Sequence, residues 1–99
     1  MKLQILELAR DDLIEGYHFY EDKEAGLGDY FLACLYSDIE SLKIYGGIHP
    51  QTHRKYHRAL SKRFPFAIFY VIHENIVHVR AVVDCRRKPS WIRQHLMDR

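Results

Sequence analysis

Two apolar runs, residues 66–73 and 76–85, are separated only by Glu74 and Asn75, and this pairing restricts the fold more than any other part of the chain. A connection that short between β-prone segments makes a hairpin. The first run is apolar on both alternating faces, through Phe66, Ile68, Tyr70 and Ile72 and through Ala67, Phe69, Val71 and His73. Such a strand is covered on two sides and belongs near the middle of a sheet. In the second run Val77, Val79, Ala81 and Val83 alternate with Ile76, His78, Arg80, Val82 and Asp84. Unbroken alternation buries the first set and leaves His78, Arg80 and Asp84 together on an open side.

The remaining elements follow from changes of period. Leu3 and Ile5 alternate with polar neighbours in a first strand at residues 2–7. From Ala9 the spacing becomes helical, with Leu13, Ile14, Tyr17 and Tyr20 forming a stripe that runs to about Lys23, and Asp11 and Asp12 lie in its first turn. Gly26, Leu27 and Gly28 make a tight break. Leu27, Phe31, Leu35, Ile39 and Leu42 then carry a second helix to about Tyr45. The short turn makes the two helices an antiparallel hairpin. Gly46, Gly47 and Pro50 end it. Residues 56–62 form a further strand, and Pro89 opens a last helix at residues 90–97, anchored by Trp91. The expected architecture is α+β, one domain over residues 1–99 in the order β-α-α-β-β-β-α, with an antiparallel-dominated sheet on a two-helix hairpin and a short C-terminal helix.

Composition narrows the class. A chain of 99 residues with 47% hydrophobic content can build one core. No apolar run approaches the roughly 20 residues of a membrane span, and the first residues lack the apolar stretch of a signal peptide. A cytoplasmic protein without membrane contact is expected. Cys34 and Cys85 lie far apart with no CxxC spacing, so they are expected to act as small buried hydrophobes.

Charge is divided unevenly. Residues 1–50 hold four Lys/Arg against ten Asp/Glu, and residues 51–99 hold eleven against three, behind a net charge of only +2. The basic half attracts acidic or phosphate-bearing partners. Arginine and tryptophan are the residue types most often found at interface anchor points, which singles out Arg86, Arg87, Trp91 and Arg93. The plainer alternative is that Trp91 pins the last helix and that Arg86 to Lys88 are a solvated turn. His49, His53 and His57 recur every four residues, a zinc-like spacing on a continuous helix. Gly46, Gly47 and Pro50 interrupt that helix, so no metal and no cofactor is expected, and the imidazoles confer pH sensitivity between about 6 and 7 instead.

In sequence order, Ala9 with Asp12 and Leu13, Tyr17 and Tyr20, Gly26-Leu27-Gly28, Arg63-Phe64-Pro65-Phe66, Ile68-Phe69-Tyr70 and the run Asp84 to Trp91 resemble the RelE/ParE superfamily of toxins from bacterial type II toxin-antitoxin modules, the plasmid-stabilisation branch included. The resemblance covers nearly the whole chain. It implies a toxin neutralised by a cognate antitoxin, which also carries any binding of operator DNA. Two activities are implied. A ParE-like toxin acts on DNA gyrase and is not itself an enzyme, and the residues offered for its target are Arg58, Arg63, Arg80, Arg86, Arg87, Trp91 and Arg93. A RelE-like toxin is a ribosome-dependent mRNA endoribonuclease, or mRNA interferase, for which His57, Arg58, His78, Arg80 and Arg86 are the available catalytic groups. In that branch an arginine follows the aromatic residue opening the third strand and a tyrosine lies near the C-terminus, whereas this chain has Ala67 and no tyrosine after Trp91. The gyrase reading is therefore preferred. A third alternative is an inactive relative that serves only as a binding module. For the antitoxin, Tyr17, Tyr20 and Tyr36 are the expected contacts, and Glu7, Asp11, Asp12, Glu15, Glu21, Asp22 and Glu24 either frame its groove or only solubilise the helices. An exposed edge at the first strand would accept added backbone pairing.

Overall fold

The computed structural model describes residues 1–97 and 99. Its elements are β1 (Lys2–Ile5), α1 (Glu7–Glu21), α2 (Leu27–Glu40), α3 (Leu42–Tyr45), β2 (Gln51–Thr52), β3 (Tyr56–Leu60), β4 (Phe66–His73), β5 (Ile76–Asp84) and α4 (Pro89–Met97). The five strands form one mixed sheet in the order β1-β5-β4-β3-β2. Only the β1–β5 pair is parallel, and the other three are antiparallel. The α+β reading holds, with α3 and the two-residue β2 as additions.

Glu74 and Asn75 both have positive φ, at 52° and 60°, as a twisted two-residue hairpin turn requires. β4 spans the residues that its two-faced apolar pattern predicts. One side of the sheet carries the helical hairpin and the larger core, built from Leu13, Phe31, Leu35, Ile39, Ile68, Tyr70, Val77 and Val79 among others. The other side carries a smaller core of Tyr56, Ala67, Phe69, Ala81, Val83 and Leu96, the last from α4. The hairpin turn needs glycine twice. Gly26 sits at φ 91°, and a Cβ on Gly28 would lie 2.7 Å from the Tyr17 carbonyl oxygen, so α1 and α2 could not approach as they do.

Several expectations are corrected. β1 stops at Ile5 because Leu6 turns the chain, its N–H donating to Val79 O at 2.9 Å while its own carbonyl accepts from Ala9 and Arg10. The first helix thus begins at Glu7, and Asp12 lies in its second turn, buried. The second helix breaks at Ser41, whose Oγ donates to Asp38 O at 2.6 Å. β3 ends at Leu60: the Ser61 N–H still donates to Phe66 O at 2.8 Å, but the Asp38 carboxylate accepts from Ser61 Oγ at 2.7 Å and draws off the Lys62 N–H at 3.2 Å.

The most consequential correction lies in β5. Phe69 is opposite Ala81 and Tyr70 is opposite Val79, which leaves Arg80 as an unpaired extra residue. This bulge reverses the alternation. Val77 and Val79 face the helical hairpin, and after the bulge Val82 does so, while Ala81 and Val83 turn to the α4 side. Asp84 therefore shares the hairpin side with Val82. The single open face expected to hold His78, Arg80 and Asp84 does not exist.

Candidate functional site

The end of the sheet where β4 begins and β5 ends collects aromatic rings and cations. The Cys85 N–H donates to Pro65 O at 2.8 Å and so ties the loop of residues 61–65 to the loop of residues 85–88. Lys62 and Arg63 are thereby brought to the same end as Arg86, Arg87 and Lys88, and all five are exposed. The aromatic part comes from α1, α2 and the 61–65 loop. Tyr20 lies 5.1 Å from Phe31 and 4.9 Å from Phe64, ring centre to ring centre.

A cleft of about 490 Å³ opens at this end. Phe19 of α1, Trp91 of α4, Phe66 and Val82 are among the residues that line it. Phe19 is 46% exposed and Trp91 36% exposed. Each ring holds a cation over its face, Lys23 Nζ at 4.5 Å from the Phe19 centroid and the Arg87 guanidinium at 4.2 Å from that of Trp91. Such contacts keep positive charge at a ring surface without burying it.

Arg86 is fixed differently. Its Nε donates to Asp84 Oδ1 at 2.9 Å and its Nη2 to Asp84 Oδ2 at 2.7 Å, a two-pronged pair that the Arg86 backbone N–H reinforces at 2.9 Å. Nη2 also reaches Tyr20 Oη at 3.5 Å. These hydrogen bonds hold the Asp84 carboxyl below its ordinary range and raise the guanidinium further above its own. Burial pushes the Tyr20 phenol up.

Asp12 closes the back of the cleft. Because β1 ends at Ile5, the outer edge of β5 beyond Val79 lacks a strand partner, and the Asp12 carboxylate accepts the Val82 N–H at 2.9 Å in its place. The same carboxylate accepts from His95 Nε2 at 2.9 Å and forms an ion pair with Arg99. His95 in turn stacks on Trp91, 4.5 Å away and 15° from parallel. One carboxylate thus links α1, the end of β5, α4 and Arg99, and it fixes the wall on which Trp91 sits.

The sequence-predicted residues distribute as follows. Arg63, Arg86, Arg87 and Trp91 come together at this end, joined by Phe19 and Lys23, which the sequence reading missed. Their signal was an aromatic residue followed four positions later by a lysine, the spacing of neighbours on one helical face. Arg58 and Arg80 do not join them. Arg58 shares the α4 side with Tyr56, its Nη2 reaching Cys85 Sγ at 3.9 Å. Arg80 Nη1 donates to the Arg99 backbone oxygen at 2.6 Å. Arg93 is exposed on α4, two residues beyond Trp91 and on a different helical face. In place of the open sheet face expected to hold His78, Arg80 and Asp84, the exposed cations cluster at the sheet's end, with Arg86 already committed to Asp84.

The nuclease set does not assemble. His57 lies on the hairpin side, stacked on Tyr70 with ring centres 5.0 Å apart and its Nδ1 2.8 Å from His49 O. His78, Arg58 and Arg80 belong to the other side of the sheet, and Arg86 to its end. His49 Nδ1 contacts Tyr70 Oη at 2.5 Å, and the Gly47 N–H donates to the same oxygen at 2.9 Å, so these rings pin the loop after α3. His53 sits against Phe69, on the opposite side from His49 and His57. Among the described residues, no three His, Cys, Asp or Glu side chains are placed to hold a metal. Of the expected antitoxin contacts, Tyr36 is exposed and Tyr17 half-buried, but Tyr20 is buried in the aromatic core at 8% exposure and cannot be a primary contact. Cys34 and Cys85 are free and half-buried, not fully buried as expected. Among the described residues no helix is long and apolar enough to cross a membrane.

Comparison with known proteins gives a structural match. The chain superimposes on one from the chromosomal ParDE TA system from P. aeruginosa with a TM-score of 0.77 and 15% identity, covering 85% of this chain and 95% of that one. The likeness is one of fold. No family model matches the sequence, and no curated protein does. The shared fold agrees with the α+β class expected from the sequence.

Proposed function

We propose that this chain is the toxin of a type II toxin-antitoxin module, neutralised by a cognate antitoxin and acting, when free, on DNA gyrase. The fold it shares with a ParDE chain supports the toxin-antitoxin reading. The observation that carries the choice of target is the gathering of Arg63, Arg86, Arg87 and Trp91 with Phe19 and Lys23 at one end of the sheet, while the groups available for RNA cleavage lie on separate faces. A gyrase poison needs a surface that docks on a protein, and exposed tryptophan with arginine suits that role. A nuclease needs a base and cations within reach of one phosphate, which this arrangement does not provide.

The antitoxin is assigned to the acidic helical hairpin, where Tyr17 and Tyr36 remain accessible, and to β1, the outermost strand of the sheet on its side. Expression of the chain should arrest growth, and the product of the neighbouring reading frame should relieve the arrest. Purified toxin should inhibit supercoiling by gyrase and trap broken DNA. Cleavage of mRNA on purified ribosomes would move the assignment to the RelE-like activity, and harmless overexpression would leave only a binding module. Arg87→Ala or Trp91→Ala should weaken target binding about tenfold or more with antitoxin binding unchanged. Loss of both together would signal misfolding.

A further inference from the structure

Residues 41–73 hold six Lys/Arg and no Asp or Glu, and the fold lays part of this acid-free stretch along one margin of the sheet as β2 and β3. Lys55 Nζ lies 5.5 Å from the centre of the Tyr56 ring, and Arg58 reaches Cys85, so both cations stand on the α4 side. Arg54 is exposed in the turn before them, and Lys62 and Arg63 are exposed in the loop that follows β3. None of these five side chains forms an ion pair among the described residues. Within the same residues, Asp38 is the one carboxylate in hydrogen-bond contact with residues 51–63, and Ser61 Oγ and the Lys62 N–H already donate to it. From Lys55 to Lys62 the chain runs about 20 Å at the rise of a strand.

We propose that this margin, from the turn at residues 53–55 to the loop at residues 61–65, is a contact for the phosphate backbone of duplex DNA. Unpaired cations spaced along an extended edge are the arrangement that neutralises a row of phosphates. A run of about 20 Å exceeds the roughly 12 Å width of the major groove, so it reaches phosphates on both sides of one groove. Single strands are held differently, by successive exposed rings on which bases stack. Here Tyr56 and Phe69 are buried, and His53, the exposed ring beside them, packs edge-on against Phe69 at 5.7 Å. A protein partner needs a cluster of apolar anchors, and between residues 51 and 63 only Leu60 is large, apolar and exposed. Backbone contacts hold a duplex without reading its sequence. The surface shares only Lys62 and Arg63 with the cation cluster around Arg86, and it does not depend on the gyrase assignment.

The intact chain would be titrated against a fluorescein-labelled duplex of about 20 base pairs and mixed sequence, with binding read by anisotropy between about 50 and 200 mM NaCl. Five neutralised phosphates give a slope of log K against log salt of about −4.5. Arg54→Gln with Lys55→Gln, both at exposed positions, should bring the slope to about −3 and leave the urea midpoint unchanged. Adding Arg58→Gln should bring it to about −2, with binding at least about tenfold weaker than that of the parent chain. Arg10→Gln, exposed on the acidic α1, should leave the slope as it was. An unchanged slope in the double variant, an equal loss in Arg10→Gln, or binding of single-stranded oligothymidine or polyglutamate as tight as that of the duplex would overturn the proposal. The assay contains no gyrase, so the two readings fail separately. A chain that grips the duplex yet leaves supercoiling untouched loses the target assignment and keeps this one, and a chain that inhibits gyrase without gripping naked duplex does the reverse.

Discussion

The two sides of the sheet are held by different physics. On the hairpin side, Leu13, Phe31, Leu35, Ile39, Tyr70, Val77 and Val79 are essentially removed from solvent, and cohesion comes from apolar burial and close packing. On the α4 side only Leu96 of the helix is buried. The helix is held there as much by polar groups, through Tyr56 Oη donating to Leu96 O at 3.2 Å, His95 on Asp12, and Arg87 on Trp91. The difference teaches that the proposed contact surface rests on the less apolar side: the wall bearing Trp91 is positioned by a carboxylate network, while the core that makes the fold lies behind the opposite face.

Substitutions on each side sharpen that contrast. The largest effect is expected from Phe31→Ala, which removes a fully buried ring packed on Tyr20, Phe64 and Phe66. It should cost about 4 kcal/mol in urea unfolding. Asp12→Ala leaves the Val82 N–H without its acceptor and separates His95 and Arg99 from their anion, for about 3 kcal/mol. Its hydrogen exchange should rise in α4 and the end of β5, with α2 still protected. Uniform loosening would erase the distinction between the two sides. Leu96→Ala should cost about 2 kcal/mol, again with exchange confined to α4.

The smallest effect is a pH dependence at the far end of the sheet. Burial, and then the neighbouring His57, hold His49 below the ordinary imidazole range. The unfolded chain therefore takes up this proton more readily, so the contribution is intact above about pH 6.5 and declines as pH falls through that value towards the folded one. The fall in urea midpoint between pH 7.5 and 5.5 should be smaller in His49→Gln than in the parent chain. An equal fall would assign the pH response to other groups.

What was legible in the sequence divides along the same line. β4 was readable to the residue because both of its faces are apolar, and α2 because Leu27, Phe31, Leu35 and Ile39 keep a helical period over most of its length. The bulge was not readable, since Val79-Arg80-Ala81 alternates as a regular strand would, and the offset arises only from how Phe69 and Tyr70 pair across the sheet. Asp12 reads locally as a helix-start carboxylate, and its part as acceptor for Val82 depends on where β1 stops, seventy positions away from its partner. Arg86, Arg87 and Trp91 were visible by residue type. That Asp84 would clasp Arg86 was hidden, because the bulge decides which way Asp84 points.

The surplus residue in β5 makes the proposed contact end a matter of parity. Were β5 to pair regularly with Arg80 kept, the strand beyond it would turn over: Ala81 and Val83 would enter the hairpin core and Asp84 would swing away from Arg86 and Tyr20, whereas deleting Arg80 would leave Val79 and Ala81 opposite Tyr70 and Phe69 with every face unchanged.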